Sequence, residues 1–94
     1  MKKELEDVLV MRIMGNTNRL NILRIIYNAN TDLCVNQISD LANISQSLTS
    51  HQLAYLSAHG VVEGHRMGQT MCYLPANNAL AHKVRRILTI LSEE

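Results

Sequence analysis

The stretch ISQSLTSHQLAYLSAHGVVEG, residues 44–64, predicts a helix that has its own start and stop signals. Ser45 is a favourable N-cap residue, and Gly60 suits the left-handed position that follows a last helical turn. Thr49 and Leu53 recur at the spacing of one buried helical stripe. We therefore expect a helix that packs one face against a core and exposes the other.

The exposed face of the first two turns carries only uncharged hydrogen-bonding side chains. These are Gln46, Ser47, Ser50 and His51. A helix that enters a major groove presents such groups near its N-terminus, where glutamine pairs with adenine and serine with bases or phosphates. An ordinary solvated helix surface is the alternative. The order of the surrounding elements and the distribution of charge favour contact with DNA.

Charge is distributed unevenly along a chain whose net charge is only +1. Residues 41–62 contain no Lys, Arg, Asp or Glu, and from residue 41 to residue 86 the single acid is Glu63. The basic residues of that longer stretch are Arg66, Lys83, Arg85 and Arg86. A surface free of carboxylates suits a polyanion. Chance in a short chain is the other explanation.

The order of the elements predicts a winged helix-turn-helix, which is mainly α with a small β-hairpin. Two helices come first, and the second is apolar around most of its circumference, so we expect it to be central. A very short strand precedes a helix-turn-helix at about residues 34–59, and a hairpin wing follows at about residues 61–74. Pro75 is expected to end the hairpin. We expect a single domain over residues 1–94.

The hairpin adds a second set of candidate DNA contacts. Its turn region, HRMGQT at residues 65–70, carries His65, Arg66, Gln69 and Thr70. Arg66 is the best candidate for a phosphate or a minor groove, since the preceding helix has no Lys or Arg.

The first and last helices, at about residues 2–14 and 77–92, carry more apolar surface than one small domain can cover. The side chains concerned are Leu5, Val8, Leu9, Leu80, Val84, Ile87, Leu88 and Leu91. Because burial across a two-fold axis would remove them from water, the pattern predicts a homodimer.

Length and composition agree with one small aliphatic core, because the 94 residues are 47% apolar and include no Trp or Phe. No apolar run approaches the length of a bilayer span, and the Met-Lys-Lys start is not followed by a signal-peptide core. We therefore expect a cytoplasmic protein without a membrane partner.

Three segments together resemble the ArsR/SmtB family of small dimeric winged-helix repressors. They are GNTNRLNIL (15–23), LCVNQISDLANISQSLTSHQLAYL (33–56) and GVVEGHRMGQTMCYL (60–74). The likeness runs over about residues 14–91. It implies a homodimer joined by the first and last helices, double-stranded DNA with an inverted-repeat operator as the partner, and release by an inducer.

The same resemblance directs attention to two places where that family commonly builds metal sites. One is a Cys-x-Cys near the start of the third helix, of which Cys34-Val35-Asn36 keeps a single thiol. The other is an Asp/His set on the last helix, where this chain offers only His82. Since one thiol or one imidazole is not a tetrahedral site, we expect no metal and no cofactor.

Cys34 and Cys72 have two interpretations. In a winged helix the short strand before the third helix pairs with the returning strand of the wing, which would make these two residues cross-strand neighbours. Such neighbours can lie within the distance that a disulfide needs, and the two would then form a redox pair. Two unrelated thiols are the other interpretation, and the lack of an export signal favours it.

These observations lead us to expect a sequence-specific DNA-binding repressor, with an inducer or a redox change as its signal. A winged-helix module that contacts proteins without binding DNA is the alternative. The sequence contains neither a Cys–His–acid order nor a nucleotide-binding loop, so no motif in it indicates an enzyme.

Overall fold

The computed structural model describes residues 2–93, which form five helices and three strands. The helices are α1 (Lys2–Met14), α2 (Thr17–Asn28), α3 (Val35–Ala42), α4 (Gln46–Ala58) and α5 (Ala79–Leu91). The strands are β1 (Leu33–Cys34), β2 (Val62–Met67) and β3 (Thr70–Pro75). The order of these elements is that of a winged helix-turn-helix, so the predicted fold is confirmed.

The core is aliphatic, and α2 lies at its centre, as predicted. Ile22 and Leu23 are fully buried, and Ile26 and Tyr27 are nearly so. Side chains from every other helix and from β2 join them in one cluster. The Tyr27 hydroxyl donates a hydrogen bond of 2.6 Å to the carbonyl oxygen of Val61, directly before β2. One buried side chain thus connects the central helix to the base of the wing.

Side chains and backbone at the helix ends define the helix-turn-helix. The Ser45 hydroxyl accepts a hydrogen bond of 3.0 Å from the backbone N–H of Leu48, which confirms the predicted N-cap of α4. Asn43 ends α3 in the left-handed conformation, with φ of 56°, which asparagine tolerates better than most residues. The connection between α3 and α4 is therefore a tight turn. Gly60 follows α4 with φ of 75°, as expected of a glycine after a helix end.

The three strands form one antiparallel sheet in the order β1-β3-β2. Pro75 was expected to end the hairpin, but it lies in β3 opposite Val62. The next residue, Ala76, donates its backbone N–H to the carbonyl of Val61 at 3.3 Å. The β2–β3 ladder therefore needs no N–H from Pro75, and the proline fits at the strand end.

The two outer helices each have one apolar face in the core and another at the surface. Val84 is fully buried and Leu88 is 7% exposed within a single chain, in a cluster with Val10 and Ile13. The prediction that Val84 and Leu88 lie at a dimer interface is therefore wrong. The apolar stripe along α5 is wide, so one side of it packs against the core while the other side stays exposed at the surface.

The remaining candidates for the dimer interface keep exposed surface. Leu5, Val8 and Leu91 are at least half exposed, whereas Leu9, Leu80 and Ile87 are half-buried against the core. Within residues 2–93, no helix combines the length and the apolar character that crossing a membrane requires.

Candidate nucleic-acid interface

The first two turns of α4 present the predicted polar face to solvent. The four side chains of this recognition face, Gln46, Ser47, Ser50 and His51, are all exposed. The opposite side of the helix is buried through Thr49, Gln52, Leu53 and Leu56. The Thr49 hydroxyl donates to the carbonyl of Ser45 at 2.8 Å, which satisfies its polar atom inside the fold.

The hairpin of β2 and β3 supplies a second exposed surface beside α4. Its turn is made by Gly68, with φ of 66°, and Gln69. The side chains of Arg66, Gln69 and Thr70 are exposed, and no carboxylate among residues 2–93 forms a salt bridge with Arg66. The Arg66 guanidinium is thus open to an outside anion.

His65 has a partner within the fold that the sequence did not indicate. Its Nε2 atom lies 2.7 Å from Oδ2 of Asp32, a residue in the turn before β1. The His65 side chain keeps 44% of its surface exposed. The structure therefore gives His65 a contact that holds the wing to the start of β1, in addition to its exposure on the predicted DNA surface.

The recognition face and the wing meet at a cleft of about 570 Å³. Gln46 from α4 and Thr70 from β3 both line it. The first residues of α3 complete the lining, together with Cys34. Two predicted DNA-contacting residues thus share one concave surface with one of the two cysteines.

Cys34 and Cys72 are joined by a disulfide, with an Sγ–Sγ distance of 2.03 Å and a Cα–Cα distance of 3.8 Å. They are direct partners in the β1–β3 register. The interpretation as two unrelated thiols, favoured by the lack of an export signal, is therefore wrong. Cys72 is fully buried, whereas Cys34 is partly exposed at the N-cap of α3.

Burial raises the pKa of Tyr27 to about 12, although the nearby Arg85 charge acts in the opposite direction. Arg85 of α5 donates to the carbonyl of Tyr27 at 3.1 Å, and its guanidinium lies 5.0 Å from the centroid of the tyrosine ring. The phenol is therefore protonated near neutral pH and remains a donor to Val61.

No group of three or more His, Cys, Asp or Glu residues in the described range 2–93 is arranged to hold a metal ion. His82, the one candidate ligand in the last helix, is exposed, and its Nε2 lies 3.1 Å from the side-chain oxygen of Asn77.

Several large apolar side chains on α1 and α5 are exposed to solvent. Met11 is 74% exposed and Ile90 is 63% exposed, although neither was among the predicted interface residues. They extend the exposed set formed by Leu5, Val8 and Leu91, and we refer to these five residues as the outer apolar face. A shallow cavity of about 200 Å³ between the two helices is lined by Val10, Met11, Met14, Gly15 and Ile87.

Comparison with known proteins identifies the family. The family model described as "Bacterial regulatory protein, arsR family" matches residues 16–63, which run from the N-cap of α2 to the start of β2. A Halobacterium salinarum protein assigned as the arsenical resistance operon repressor ArsR is 36% identical over 67 residues. That alignment covers 71% of this chain and 52% of the relative, so the chain matches about half the length of this curated relative.

Solved structures match over nearly the whole chain. HlyU from Vibrio cholerae superimposes with a TM-score of 0.83 at 25% identity, and 98% of each chain is covered. The homodimeric winged helix-turn-helix DNA-binding domain of Mb0332 from Mycobacterium bovis gives a TM-score of 0.75 at 25% identity. It covers 96% of this chain and 80% of the domain. With its matching family model, sequence relative and fold, this chain belongs to the arsR family of bacterial regulatory proteins.

Proposed function

We propose that this protein is a sequence-specific transcriptional repressor in the cytoplasm that binds double-stranded DNA as a homodimer. The observation that carries the proposal is the recognition face of α4, which exposes Gln46, Ser47, Ser50 and His51 on a helix held rigidly by the core on its other side. A helix with short uncharged donors and acceptors at its N-terminal end suits the base edges of a major groove. The family relationship supports the same activity.

The wing would contact DNA next to that groove. Arg66 is exposed without a salt bridge to any of the described carboxylates, and Gln69 and Thr70 lie beside it on the hairpin. An arginine at this position suits a phosphate or the narrow minor groove. We propose that Arg66 contributes to the affinity for DNA of any sequence, and that the recognition face of α4 discriminates between bases.

The outer apolar face supports the proposal of a homodimer. Its five side chains are half exposed or more in the single chain, and burial of that exposed part across a two-fold axis would stabilise the dimer by about 1–2 kcal/mol for each side chain before association costs. The related Mb0332 domain is homodimeric. A two-fold dimer predicts an operator with two half-sites about one helical turn apart.

We further propose that the redox state of Cys34 and Cys72 controls DNA binding. Cys34 is the more accessible of the two and lies at the N-terminus of α3, where the helix dipole favours a thiolate. In the reduced protein its thiolate would attack hydrogen peroxide, so that the O–O bond breaks, an S–O bond forms and the other oxygen takes up a proton from solvent and leaves as water. The thiolate of Cys72 would then attack the sulfenic sulfur, so that the S–S bond forms, the S–O bond breaks and the oxygen takes up a second proton and leaves as water.

The position of the pair explains how oxidation would reach the DNA surface. The disulfide joins β3 of the wing to the N-cap of α3, the first helix of the helix-turn-helix. Cys34 also lines the cleft that contains Gln46 and Thr70. A bond formed or broken here would change how the wing lies against α4. The similar HlyU has also been solved in a reduced form.

A gel-shift assay tests the proposed function directly. The reduced 94-residue chain is titrated into a duplex from the region upstream of its own gene, with excess random-sequence duplex as competitor. We expect a complex that persists against the competitor and contains two protein chains per duplex. If no duplex is preferred, the proposed function is wrong, and a search for a protein bound by the recognition face would then test the module that contacts proteins.

A further inference from the structure

Arg19, in the first turn of α2, uses every nitrogen of its side chain inside the fold. Its Nε donates to the carbonyl of Ile13 at 3.0 Å, and its Nη2 donates to the carbonyl of Arg12 at 2.9 Å. Both carbonyls belong to the last turn of α1, where the helix itself supplies no partner. The guanidinium therefore closes the C-terminal end of α1.

The same guanidinium also lies against α4. Its Nη1 donates to Oε1 of Gln52 at 3.3 Å, and its central carbon lies 4.2 Å from the ring centroid of Tyr55. Gln52 and Tyr55 are one turn apart, so they form a single edge of the helix. Gln52 is only 7% exposed, and the hydrogen bond from Arg19 satisfies its buried oxygen.

The shape of the side chain matters more here than its charge. No carboxylate in the described chain forms a salt bridge with Arg19, and its three nitrogens point to three different acceptors. Only a planar fork that also stacks on an aromatic ring can make all these contacts at once. A lysine would keep the charge and lose the arrangement. Each of its three nitrogens already donates to an acceptor inside the fold, so we assign Arg19 to positioning and not to phosphate contact.

We infer that Arg19 is a positioning residue for DNA recognition, which fixes α4 relative to α1. The inference rests on the proposed function. α1 carries three of the five residues of the outer apolar face, namely Leu5, Val8 and Met11. In a dimer joined through that face, the Arg19 of each chain would set the distance and angle between the two recognition faces. That distance must match the spacing of the two half-sites.

The test separates the link to α4 from the cap on α1. The double variant Gln52→Leu with Tyr55→Leu removes the contacts on α4 and leaves the α1 carbonyls bonded to Arg19. Arg19→Lys removes the fork and keeps the charge. Arg24→Ala is the matched control, since Arg24 lies on the same helix and makes no side-chain hydrogen bond or salt bridge within residues 2–93. Sedimentation and thermal unfolding establish which variants are folded dimers.

The DNA readout is the preference for half-site spacing. A duplex selected by the reduced wild-type chain from a random library is compared with the same duplex carrying one extra base pair between its half-sites, and with a single half-site. We expect the extra base pair to weaken wild-type and Arg24→Ala binding by about tenfold or more. The double variant and Arg19→Lys should lose most of this preference while their affinity for the single half-site is unchanged. Wild-type spacing preference in both variants, or an equal loss on full and half sites, overturns the inference.

A second readout needs no DNA. A spin label at Ala54→Cys, which is exposed on α4, is introduced into chains that also carry Cys34→Ser and Cys72→Ser, and it reports the distance between the two recognition helices of the free dimer by double electron–electron resonance. We expect a narrow distribution for wild type and Arg24→Ala, and a broadened one for the double variant. If Arg19→Lys does not fold, the double variant carries the test alone. A wild type that selects no duplex refutes the proposed function, whereas unchanged label distances refute the role of Arg19.

Discussion

Because of a single buried phenol, the free energy of unfolding of this protein should fall as the pH rises through the alkaline range. Tyr27 is 4% exposed and has its pKa raised by burial to about 12. In the unfolded chain the phenol ionises near its ordinary value of 10. The stabilisation is therefore fully present below pH 10 and is lost as the pH rises toward 12, in total about 2–3 kcal/mol.

Tyr27→Phe isolates this effect. Near pH 8 we expect the variant to be less stable by about 1–2 kcal/mol, because the Val61 carbonyl loses its buried donor. Between pH 10 and pH 12 the difference should shrink and then reverse, since the phenylalanine does not ionise. Urea unfolding of both proteins across this range measures the difference between their free energies of unfolding. The ionisation of the other tyrosines and of the lysines affects both proteins equally, so it cancels in that difference. A constant difference across the range would contradict the prediction.

Single side chains of the recognition face should govern base discrimination. Removal of one base contact, as in Gln46→Ala or His51→Ala, should cost about 1–3 kcal/mol and relax the sequence preference. Arg66→Ala should instead weaken binding to most duplexes alike and reduce the salt dependence. Competition gel shifts with single-base variants of the operator distinguish the two patterns. Wild-type binding by folded Gln46→Ala and His51→Ala would show that another surface contacts the bases.

Which residues could be predicted from the sequence depends on how far away their partners are. Ser45 and Gly60 act on neighbours within a few positions, so local rules identify them. Arg19 bonds to a residue 33 positions away, and no local pattern announces such a contact. The glutamine at position 52 was a usable signal, because a polar residue next to Leu53 on a buried stripe requires a partner inside the fold.

Individual helices can serve two surfaces, and α5 shows this most clearly. The i, i+4, i+7 pattern of its apolar residues predicts an amphipathic helix, but the pattern alone does not divide the stripe between core and interface. Packing decides, and it buries Val84 while Leu91 remains half exposed. The sequence likewise left open whether Cys34 and Cys72 form a pair, because they become neighbours only through the register of β1 and β3.

The two faces of α5 should respond differently to a charge. Val84→Glu buries an unpaired carboxylate and should destabilise the single chain by about 3 kcal/mol or more. Leu91→Glu should leave folding nearly unchanged and weaken dimerisation. Leu41→Glu is the control, because Leu41 is 63% exposed on α3, away from the outer apolar face. Analytical ultracentrifugation and denaturant unfolding separate the outcomes, and a monomeric wild type at micromolar concentration would contradict the dimer.

The Cys34–Cys72 disulfide between β1 and β3 should make the affinity for DNA change reversibly with oxidation and reduction. Mild peroxide or polysulfide should lower affinity for the operator by about tenfold, a typical coupling between two sites, and a thiol reductant should restore it. Cys34→Ser and Cys72→Ser should each abolish the response and keep the affinity of the reduced protein. Gel shifts under both conditions, with mass spectrometry to follow the disulfide, measure this. Equal affinity of oxidised and reduced wild type would leave the disulfide with a structural role alone.

At the scale of the whole molecule, the architecture was the most predictable property. Helix and strand periodicity, caps and turn residues all indicate the same order of elements, and three short segments in that order indicate the family. What could not be predicted is how the elements are fastened together. Asp32 with His65 and Tyr27 with Val61 are contacts between distant parts of the chain, and they exist only once the fold has formed.

The charge-free run through α4 has a kinetic consequence for the search for an operator. A protein that neutralises few phosphates releases few counterions, so it binds random DNA weakly and its affinity changes little with ionic strength. Residues 41–62 supply no cation, and Arg66 on the wing is the nearest one along the chain. We therefore expect short residence on non-operator DNA, little one-dimensional sliding and an association rate without strong electrostatic steering. Such a protein would associate with its operator slowly. It would remain bound when the intracellular salt concentration rises to a level at which more basic regulators dissociate.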